Sequence, residues 1–388
     1  MGRAKRLLSS LTNETKRWQE RQASFQTQRT NLLGHSLLSA AFVAYNGFLE
    51  QQRRMDAIIQ WEATLSECNI KFDDEFQFGD FMVDPEQLMN WTSKELPNDD
   101  LCIQNAIILS TEDKRTPFII DPAGQATNYL VNSNKNIVRT SFLDKKFSKN
   151  LESCLRFGSP LLIEDGEQID PLVLPVLTRD FRKAGGRTLL ELKHNEIDVS
   201  PSFQLFIVTR DTDFAPNPSI SSMTVLVNFS VTSLSLRAQC LTRLLKFKLP
   251  DVEKRQRELH ESLANMQVEL REHEEKMLTV FSTTKGEILE NDTLLHLLED
   301  IKTESIDIEK KATETRQTLQ EITQTSEQFS PVADIATSLY FALRHMSVVH
   351  YLYQFSLQFF WSIFDKIVAV EATPEELVSL ITKGTFQA

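Results

Sequence analysis

Apolar residues in the first 60 positions recur with the period of an α-helix, and no proline interrupts them. Leu11, Trp18, Phe25 and Leu32 form one narrow stripe at seven-residue spacing. A stripe of this kind predicts a helix that packs against a single partner helix, and no matching partner follows nearby in the chain. The pattern therefore predicts that part of a two-helix structure lies outside this sequence.

The middle of the chain alternates short apolar runs with helical segments. Residues 68–91 lose any period and become acidic and aromatic, which predicts an irregular connection. Asn98 and Asp99, behind Pro97, then supply the caps of a helix. The apolar runs that follow lie at 118–120, 137–140, 160–163, 187–192, 204–209 and 224–229. Runs this short, separated by amphipathic segments such as 147–157, predict an α/β fold in which helices cover both faces of a parallel sheet.

After Pro250 the pattern changes to charged heptads, in a first run at 252–280 and a second at 294–322. The segment 285–292 between them suits the tip of a protruding antiparallel coiled-coil hairpin, whose arms of about thirty residues would each reach ~45 Å. Two surface helices folded back on the domain are the alternative, but the narrow apolar seam favours the hairpin. The predicted seam residues are Leu259, Leu263, Met266, Leu270, Met277, Leu298, Ile301, Ile308, Leu319 and Ile322.

The stretch from residue 331 predicts the buried helices of a small helical domain. Polar and charged residues interrupt its apolar segment 348–368, which favours a buried helix over a membrane span. With 388 residues, 41% hydrophobic content and a net charge of -12, the chain can hold two or three domains, and nucleic acid is disfavoured as the main partner. Four cysteines without a C-x-x-C pair, and a start without a long apolar run, predict reduced thiols in a cytosolic protein.

The segment 118–128 has the layout of a phosphate-binding loop: a buried strand, a tight turn around Gly124, and a helix. A working loop has the form G-x-x-x-x-G-K-[ST], in which the Lys faces the outer phosphates and the hydroxyl binds magnesium. Here Asp121 stands at the first Gly, Ala126 at the second, Thr127 at the Lys and Asn128 at the Ser/Thr. The turn is retained, whereas the phosphate-binding residues are missing.

Two other strand ends carry further remnants of an ATPase site. Such a site needs a metal-holding Asp followed by a catalytic Glu, and a polar sensor on a third strand. Asp165 is present, but Gly166 replaces the Glu, and Glu167 comes one residue late and is expected to point elsewhere. Arg210 stands at the sensor position. A chance strand–turn–helix is one interpretation, but three remnants on one sheet rim favour a degenerate nucleotide site.

Other chemistry finds little support in the sequence. The seven histidines are dispersed, and His345 and His350 are five residues apart, so no metal site is expected. There is no G-x-S-x-G motif either. The residues alone therefore predict a module that is not an enzyme.

Several segments together resemble the dynein heavy chain, specifically the fifth AAA+ module of its motor ring with the elements on either side. Two of them read Leu96-Pro-Asn-Asp-Asp-Leu-Cys102 and Ile119-Ile-Asp-Pro-Ala-Gly-Gln-Ala-Thr127. The others lie at 37–45, 140–144, 200–203, 209–211 and 351–360. The cytoplasmic type looks closer than the axonemal type, and the family's fifth module lacks the phosphate loop that its first four keep.

The resemblance implies a division of the chain into five parts. They are the ring-proximal end of the returning stalk coiled-coil helix (1–35), the end of the fourth AAA+ module and its connection (36–91), the large subdomain of the fifth module (92–245), the buttress or strut coiled-coil hairpin (246–330), and the small helical subdomain with the start of the sixth module (331–388). In this family the buttress touches the stalk.

The resemblance also implies a function: a non-catalytic module of a minus-end-directed microtubule-motor ATPase. Such a module relays ATP-driven ring rearrangement through the buttress to the stalk, and so controls stalk register and microtubule affinity. The alternative is a nucleotide-binding or ATP-hydrolysing AAA+ module with an unusual pocket. A coiled-coil scaffold unrelated to motors is a third interpretation, which the unpartnered stripe at Leu11 and Trp18 disfavours.

No cofactor is expected in this module, whereas Mg-ATP is expected at other modules of the parent protein. The implied partners are the stalk coiled coil, the fourth and sixth AAA+ modules and, through the stalk tip, the microtubule. The parent is expected to be dimeric and cytoplasmic, with neither nucleic acid nor membrane as a partner. Relatives carry an Arg near the preceding module's nucleotide, but 221–224 has none, so Arg210 is the candidate for that contact.

Overall fold

The computed structural model describes residues 2–73, 76–111, 115–193, 195–212, 214, 217–250, 306–308, 310–318, 327–350, 356–370, 373 and 376–381, together with scattered positions between 254 and 279. The chain forms two compact units. The first, which we call the sheet unit, comprises residues 34–239 and 340–362. The second, the helical unit, comprises residues 1–33, 240–339 and 363–388.

The sheet unit is built on a five-stranded sheet in which every paired strand is parallel. The strands of the described residues are β1 (Thr116–Ile120), β2 (Val138–Ser141), β3 (Leu161–Glu164), β4 (Arg182–Ala184), β5 (Arg187–Leu192), β6 (Asn195–Asp198), β7 (Leu205–Thr209) and β8 (Thr224–Asn228). The order across the large sheet is β2-β3-β7-β1-β8. Five of the six predicted apolar runs therefore form this sheet.

Alternate residues of the central strands enter two separate cores. Phe118 of β1 and Leu161 and Ile163 of β3 pack in one core, whereas Ile119 and Leu162 pack in the other. All five side chains are buried. Because both faces of the sheet are covered, its strands read as continuous apolar runs. The predicted parallel α/β sheet is confirmed.

The run 187–192 was predicted for the parallel sheet, and this prediction is wrong. It forms β5, which pairs antiparallel with β4 and β6 in a separate three-stranded sheet. Gly185 and Gly186, at φ of 58° and 79°, make the tight turn that β4 and β5 share. Leu190 and Leu192 of β5 are buried, while Arg187 is exposed, as expected of a strand with one solvated face.

Helices occur in both units. They are α1 (Gly2–Tyr45), α2 (Gln51–Glu67), α3 (Phe78–Met82), α4 (Pro85–Ser93), α5 (Asp100–Ser110), α6 (Gln125–Ser133), α7 (Phe147–Phe157), α8 (Leu174–Leu177), α9 (Pro218–Met223), α10 (Ser233–Lys248), α11 (Ser330–His345) and α12 (Leu357–Val368). Short 3₁₀ turns lie at Pro171–Val173 and Met346–Val348. The predicted cap of α5 is confirmed, because the Asp99 carboxylate accepts the N–H of Cys102 at 2.7 Å.

Two sequence predictions for the first 91 residues need correction. The helix expected to reach residue 60 ends at Tyr45 and a new helix begins at Gln51, because the chain turns at Gly47 against β8. A Cβ on Gly47 would lie 2.2 Å from the Leu226 carbonyl oxygen. Residues 68–91, expected to be irregular, include α3 and α4, and Pro85 stands at the first position of α4, where its fixed φ favours a helix.

The heptad runs belong to the helical unit. Leu259 is buried, and Leu263, Met266 and Ile308 are half-buried. One groove is lined by Glu258, Ser262, Asn265, Met266 and Glu269 from the first run and by Ile308 and Lys311 from the second, so these described residues lie close together. Leu270, Met277, Leu298, Ile301, Leu319 and Ile322 lie outside the described residues, as does the 285–292 segment. The hairpin as a whole stays a prediction.

Polar contacts also join α10 to the C-terminal helices within the helical unit. Arg243 of α10 and Asp365 of α12 form an ion pair at 2.6 Å. Burial raises the pKa of the Cys240 thiol to about 12, while a hydrogen bond with Thr337 of α11 acts in the opposite direction. Lys248 donates to the carbonyl oxygen of Val370. These contacts fix the C-terminal half of α10.

Three smaller observations concern exposure, membrane spans and thiols. In α1 the stripe residues Phe25 and Leu32 are exposed, while the side chains of Leu11 and Trp18 lie outside the described residues. Among the described residues, no helix combines the length and the apolarity that a membrane span needs. All four cysteines are free, three of them buried.

Candidate functional site

The three predicted rim segments meet at the carboxyl ends of β1, β3 and β7. The backbone N–H of Asp121 donates to the Thr209 carbonyl oxygen at 2.8 Å. The N–H of Gly166 donates to the Val208 carbonyl oxygen at 2.9 Å. In open α/β sheets this rim is where ligands bind. The structure thus brings together the residues that the sequence assigned to a degenerate nucleotide site.

The turn after β1 has the backbone of a strand–turn–helix. Gly124 adopts a left-handed conformation with φ of 75° and precedes the first residue of α6. Asn128 donates its backbone N–H to the Gly124 carbonyl oxygen at 3.1 Å, which starts the helical hydrogen bonding. The side chain of Asn128, at the magnesium-binding position of a phosphate loop, is exposed. The first N–H groups of α6 have no acceptor within the helix, so they need acceptors in the turn.

The Asp121 carboxylate accepts those N–H groups. One of its oxygens accepts the Gln125 N–H at 2.9 Å, and the other accepts both the N–H and the hydroxyl of Thr127, at 2.8 and 2.9 Å. The Asp121 residue is only 1% exposed. Helix N-termini attract negative charge, because their free N–H groups and their dipole both favour it. A carboxylate of the chain itself therefore sits among the donors that a phosphate would use.

Two opposing influences act on the pKa of Asp121. Burial raises the pKa of this carboxyl above its ordinary value, and the hydrogen bonds from Thr127, Gln125 and Gly124 lower it. The net direction is upward, so burial outweighs the hydrogen bonds. The carboxylate is thus costly to ionise and at the same time well supplied with donors.

A chain of side-chain hydrogen bonds connects this turn with α10. Gln125 donates to the Gln239 side chain at 2.9 Å, and Gln239 donates to the Asp99 carboxylate at 3.1 Å. The Ser235 hydroxyl donates to the same Asp99 oxygen at 2.5 Å. Asp99 was predicted only as a helix cap. Ser235 and Gln239 were not predicted as its partners, because they lie more than 130 residues away in the chain.

The end of β3 carries the second remnant. Asp165 is exposed and left-handed, with φ of 56°, and its carboxylate accepts the Ser141 hydroxyl at 3.4 Å. Gly166 is tightly packed, since a Cβ there would lie 2.5 Å from Ile207 Cγ2. Glu167, which was predicted to point elsewhere than the catalytic position, accepts the Thr209 hydroxyl with its carboxylate at 2.5 Å. The left-handed turn at Asp165 brings the chain back toward β7.

Arg210, at the sensor position, directly follows the last residue of β7. Its side chain is 69% exposed, and its guanidinium is 3.8 Å from the Glu164 carboxylate. That carboxylate also pairs with Arg139 at 2.5 Å. An exposed pair at 3.8 Å contributes little to stability. The Arg210 guanidinium is therefore solvent-exposed and only weakly paired.

Two features of the turn differ from those of a phosphate-binding loop. The residue at the lysine position is Thr127, whose hydroxyl donates to Asp121. An incoming phosphate would meet a buried carboxylate, and like charges at hydrogen-bond distance repel strongly in a site of low dielectric. Among the residues that the structure describes, no group of three or more His, Cys, Asp or Glu side chains could hold a metal ion.

The parallel α/β sheet with a strand–turn–helix at its carboxyl rim is consistent with an AAA+ fold, and the comparison with known families supports that class. The profile of the ATP-binding dynein motor region matches residues 89–308. Because this match covers more than half of the chain, the chain belongs to the ATP-binding dynein motor region family. The predicted resemblance to the dynein motor region is confirmed.

Curated relatives match almost the whole chain. The cytoplasmic dynein heavy chain of Dictyostelium discoideum is 42% identical over 388 residues, and that of Drosophila melanogaster 38% over 382 residues. These matches cover 98% and 96% of this chain but 8% of each relative. The mouse dynein axonemal heavy chain 5 is 32% identical over 394 residues, again 8% of its length. The higher identities favour the cytoplasmic type, and the chain spans less than a tenth of these relatives.

One solved structure gives a weaker likeness. The S. cerevisiae Hsp104–ADP complex covers 78% of this chain and 47% of its own, at 9% identity and a TM-score of 0.20. A score this low supports no conclusion about the site. The family assignment rests on the sequence match and on the sheet.

Proposed function

We propose that this chain is a non-catalytic AAA+ module of a cytoplasmic microtubule motor. In this proposal residues 1–35 end the stalk helix, 36–91 complete the fourth AAA+ module, 92–245 form the large subdomain of the fifth, 246–330 form the buttress, and 331–388 form the small subdomain and enter the sixth module. The module relays ATP-driven ring rearrangement through the buttress to the stalk. The other modules of the parent, which is dimeric in this proposal, bind Mg-ATP.

The observation that carries the non-catalytic part is the position of the Asp121 carboxylate. It already accepts the N–H groups of Gln125 and Thr127, which would otherwise face a phosphate. The lysine that would neutralise an outer phosphate is replaced by Thr127. The internal anion and the missing cation both disfavour phosphate binding, so in this proposal the role of the turn is structural.

The relay part is supported by the contacts of α10. Gln239 of α10 bonds to Gln125 beside the turn and to Asp99 at the start of α5. The helix then continues to Lys248, just before the first heptad position at Val252. In this proposal α10 transmits a movement of the rim to the root of the buttress. A two-helix seam with discrete registers supplies the bistable element that a relay needs.

A nucleotide-binding or ATP-hydrolysing module with an unusual pocket is the second candidate. Two facts favour it: the family is described as ATP-binding, and the strand–turn–helix with Gly124 is retained. It requires a nucleotide pose that avoids the Asp121 carboxylate.

Titration calorimetry with Mg-ATP tests the two candidates. The 388-residue chain is expected to show no binding up to about 1 mM, which corresponds to less than about 4 kcal/mol of binding free energy. Asp121→Gly, which removes the internal anion and places Gly at the first loop position, is expected to bind weakly at best, because the lysine is still missing. Micromolar binding by the unchanged chain would establish the second candidate instead.

Arg210 gives a further test in the full-length protein. We propose that its exposed guanidinium contacts the nucleotide of the fourth AAA+ module. Arg210→Ala is then expected to slow turnover at that module at least about tenfold, since such arginines stabilise transition-state charge. Arg139→Ala, which removes the other arginine on Glu164, is the matched control and should leave turnover unchanged. Unchanged turnover in Arg210→Ala excludes the contact.

A further inference from the structure

Arg54 of α2 is a fully buried cation whose hydrogen bonds in the described part of the chain all end on neutral oxygens. It is 1% exposed. Its Nε donates to the Leu49 carbonyl at 2.9 Å, and one Nη donates to the Gly47 carbonyl at 3.0 Å and to Asn105 Oδ1 at 2.7 Å. The other Nη donates to the Gln104 side chain at 3.2 Å. The guanidinium carbon also lies 5.9 Å from the centroid of the Phe42 ring.

The charge persists despite burial. Burial lowers the pKa of Arg54 to about 10, so the group is still protonated at neutral pH. A buried cation is unfavourable unless its donors are satisfied, and here carbonyl and amide dipoles satisfy them. The fork of the guanidinium reaches acceptors in two directions at once, which an ammonium group cannot do. The side chain therefore acts as a junction between chain segments and not as an ordinary ion pair.

The segments that meet at this junction are the α1–α2 loop, α5 and β8. Asn105 of α5 donates its amide to the Asn228 carbonyl oxygen at 2.7 Å. Asn228, the last residue of β8, donates its backbone N–H to the Gly47 carbonyl oxygen at 2.8 Å and its amide to the Phe48 carbonyl at 3.2 Å. Gly47 is therefore bonded both to Arg54 and to the end of β8. The loop is therefore hydrogen-bonded to the end of β8.

Close packing makes this arrangement specific. A Cβ on Gly47 would meet the Leu226 carbonyl oxygen of β8 at 2.2 Å, so only glycine lets the loop approach this closely. Phe42, one turn before the end of α1, is completely buried in the same core as Ile107 and Val227. Backbone hydrogen bonds, a buried cation and core packing thus all hold the end of α1 in one place.

We propose that Arg54 anchors the C-terminal end of α1 to the β8 edge of the sheet. This end then stays in place while the buttress shifts the rest of α1. This inference rests on the proposed relay and adds its missing mechanical element. A relay that slides one helix against another needs one end that does not yield. Since the anchor consists of mutually dependent hydrogen bonds around one cation, loss of that cation releases the loop, α5 and β8 together.

The test uses Arg54→Met in the full-length protein, with Arg53→Met as the matched control, because Arg53 is the neighbouring, exposed arginine of α2. Hydrogen exchange of residues 46–54 and 226–230 is expected to accelerate at least about tenfold in Arg54→Met, while β1 and β7 keep their protection. The nucleotide-dependent change in microtubule affinity is expected to shrink. Arg54→Lys should not restore either property, and Arg53→Met should behave like the unchanged protein.

A milder variant covers the case in which Arg54→Met loses protection throughout the sheet. Gln104→Ala removes one acceptor of the guanidinium and is expected to accelerate exchange only in residues 46–54. If Arg54→Met leaves exchange in these residues and the affinity change intact, or if Gln104→Ala leaves exchange in them unchanged, the anchor is excluded. If the heptad variant Leu263→Pro abolishes coupling while Arg54→Met preserves it, the relay stands and the anchor fails. If both variants preserve coupling, the relay itself fails.

Discussion

Replacing Leu263 by proline in the full-length protein is expected to uncouple microtubule binding from ATP turnover. Leu263 is a half-buried seam residue in the first heptad run. A proline inside a helix removes a backbone hydrogen bond and clashes with the preceding turn, at a cost of about 3 kcal/mol or more. The first arm would break within the groove, between the lining residues Ser262 and Met266. Rearrangement of the ring could then no longer reach the stalk.

The measurement is the ratio of microtubule-stimulated to basal ATP turnover, together with the microtubule affinity in different nucleotide states. Stimulation is expected to fall close to one-fold, and the affinity to stop responding to nucleotide. Basal turnover should persist, because the other modules are untouched. Leu263→Met keeps an unbranched apolar side chain and should retain coupling. Leu319→Pro in the second run is expected to repeat the effect, and full coupling in both proline variants would refute the relay.

The parallel sheet was predictable because its strands are buried on both faces. β1, β3 and β7 lie between two cores, so each appears in the sequence as an uninterrupted apolar run. The run 187–192 looked similar but pairs antiparallel. The prediction failed because its apolar residues were a stronger signal than the exposed Arg187 and the two glycines before it. Local pattern gives the existence of a strand, whereas its partner depends on distant chain.

The break between α1 and α2 shows the same limit. A single Gly47 inside a helical pattern is tolerated in many helices, so the sequence alone favoured continuation. What ends the helix is the close approach of Leu226, almost 180 residues away. The burial of Arg54 was equally unpredictable, because an arginine in a charged helix normally faces solvent. Its burial follows from acceptors such as Asn105 that only the fold brings to it.

The candidate site was predictable in what it lacks and not in what replaces the missing groups. The absent lysine and the misplaced glutamate could be read position by position. The role of Asp121 had one local signal, an acidic side chain placed just before a helix start, where N–H groups need acceptors. The return of Glu167 to Thr209 depends on the left-handed backbone of Asp165, which a non-glycine residue seldom adopts.

Asp121→Ala is expected to destabilise the sheet unit by about 3 kcal/mol, because it leaves the part-buried N–H groups of Gln125 and Thr127 without their acceptor. Urea unfolding of the 388-residue chain measures this loss. Thr127→Val is the matched control: it removes only the hydroxyl bond and keeps both N–H contacts, so about 1 kcal/mol is expected. Equal losses in the two variants would mean that the carboxylate does not hold the turn.

The pH dependence of the same comparison tests the electrostatics of Asp121. Burial raises the pKa of its carboxyl above 3.8, so between 3.8 and the raised value the folded chain binds more protons than the unfolded chain. The contribution of this group to stability therefore grows as pH falls through that window and is lost as pH rises. The difference in unfolding free energy between the unchanged chain and Asp121→Ala should widen on the acid side. If the difference in unfolding free energy narrows there instead, the hydrogen bonds from Thr127 and Gln125 outweigh burial. The turn would then stabilise the ionised form of Asp121 rather than disfavour it.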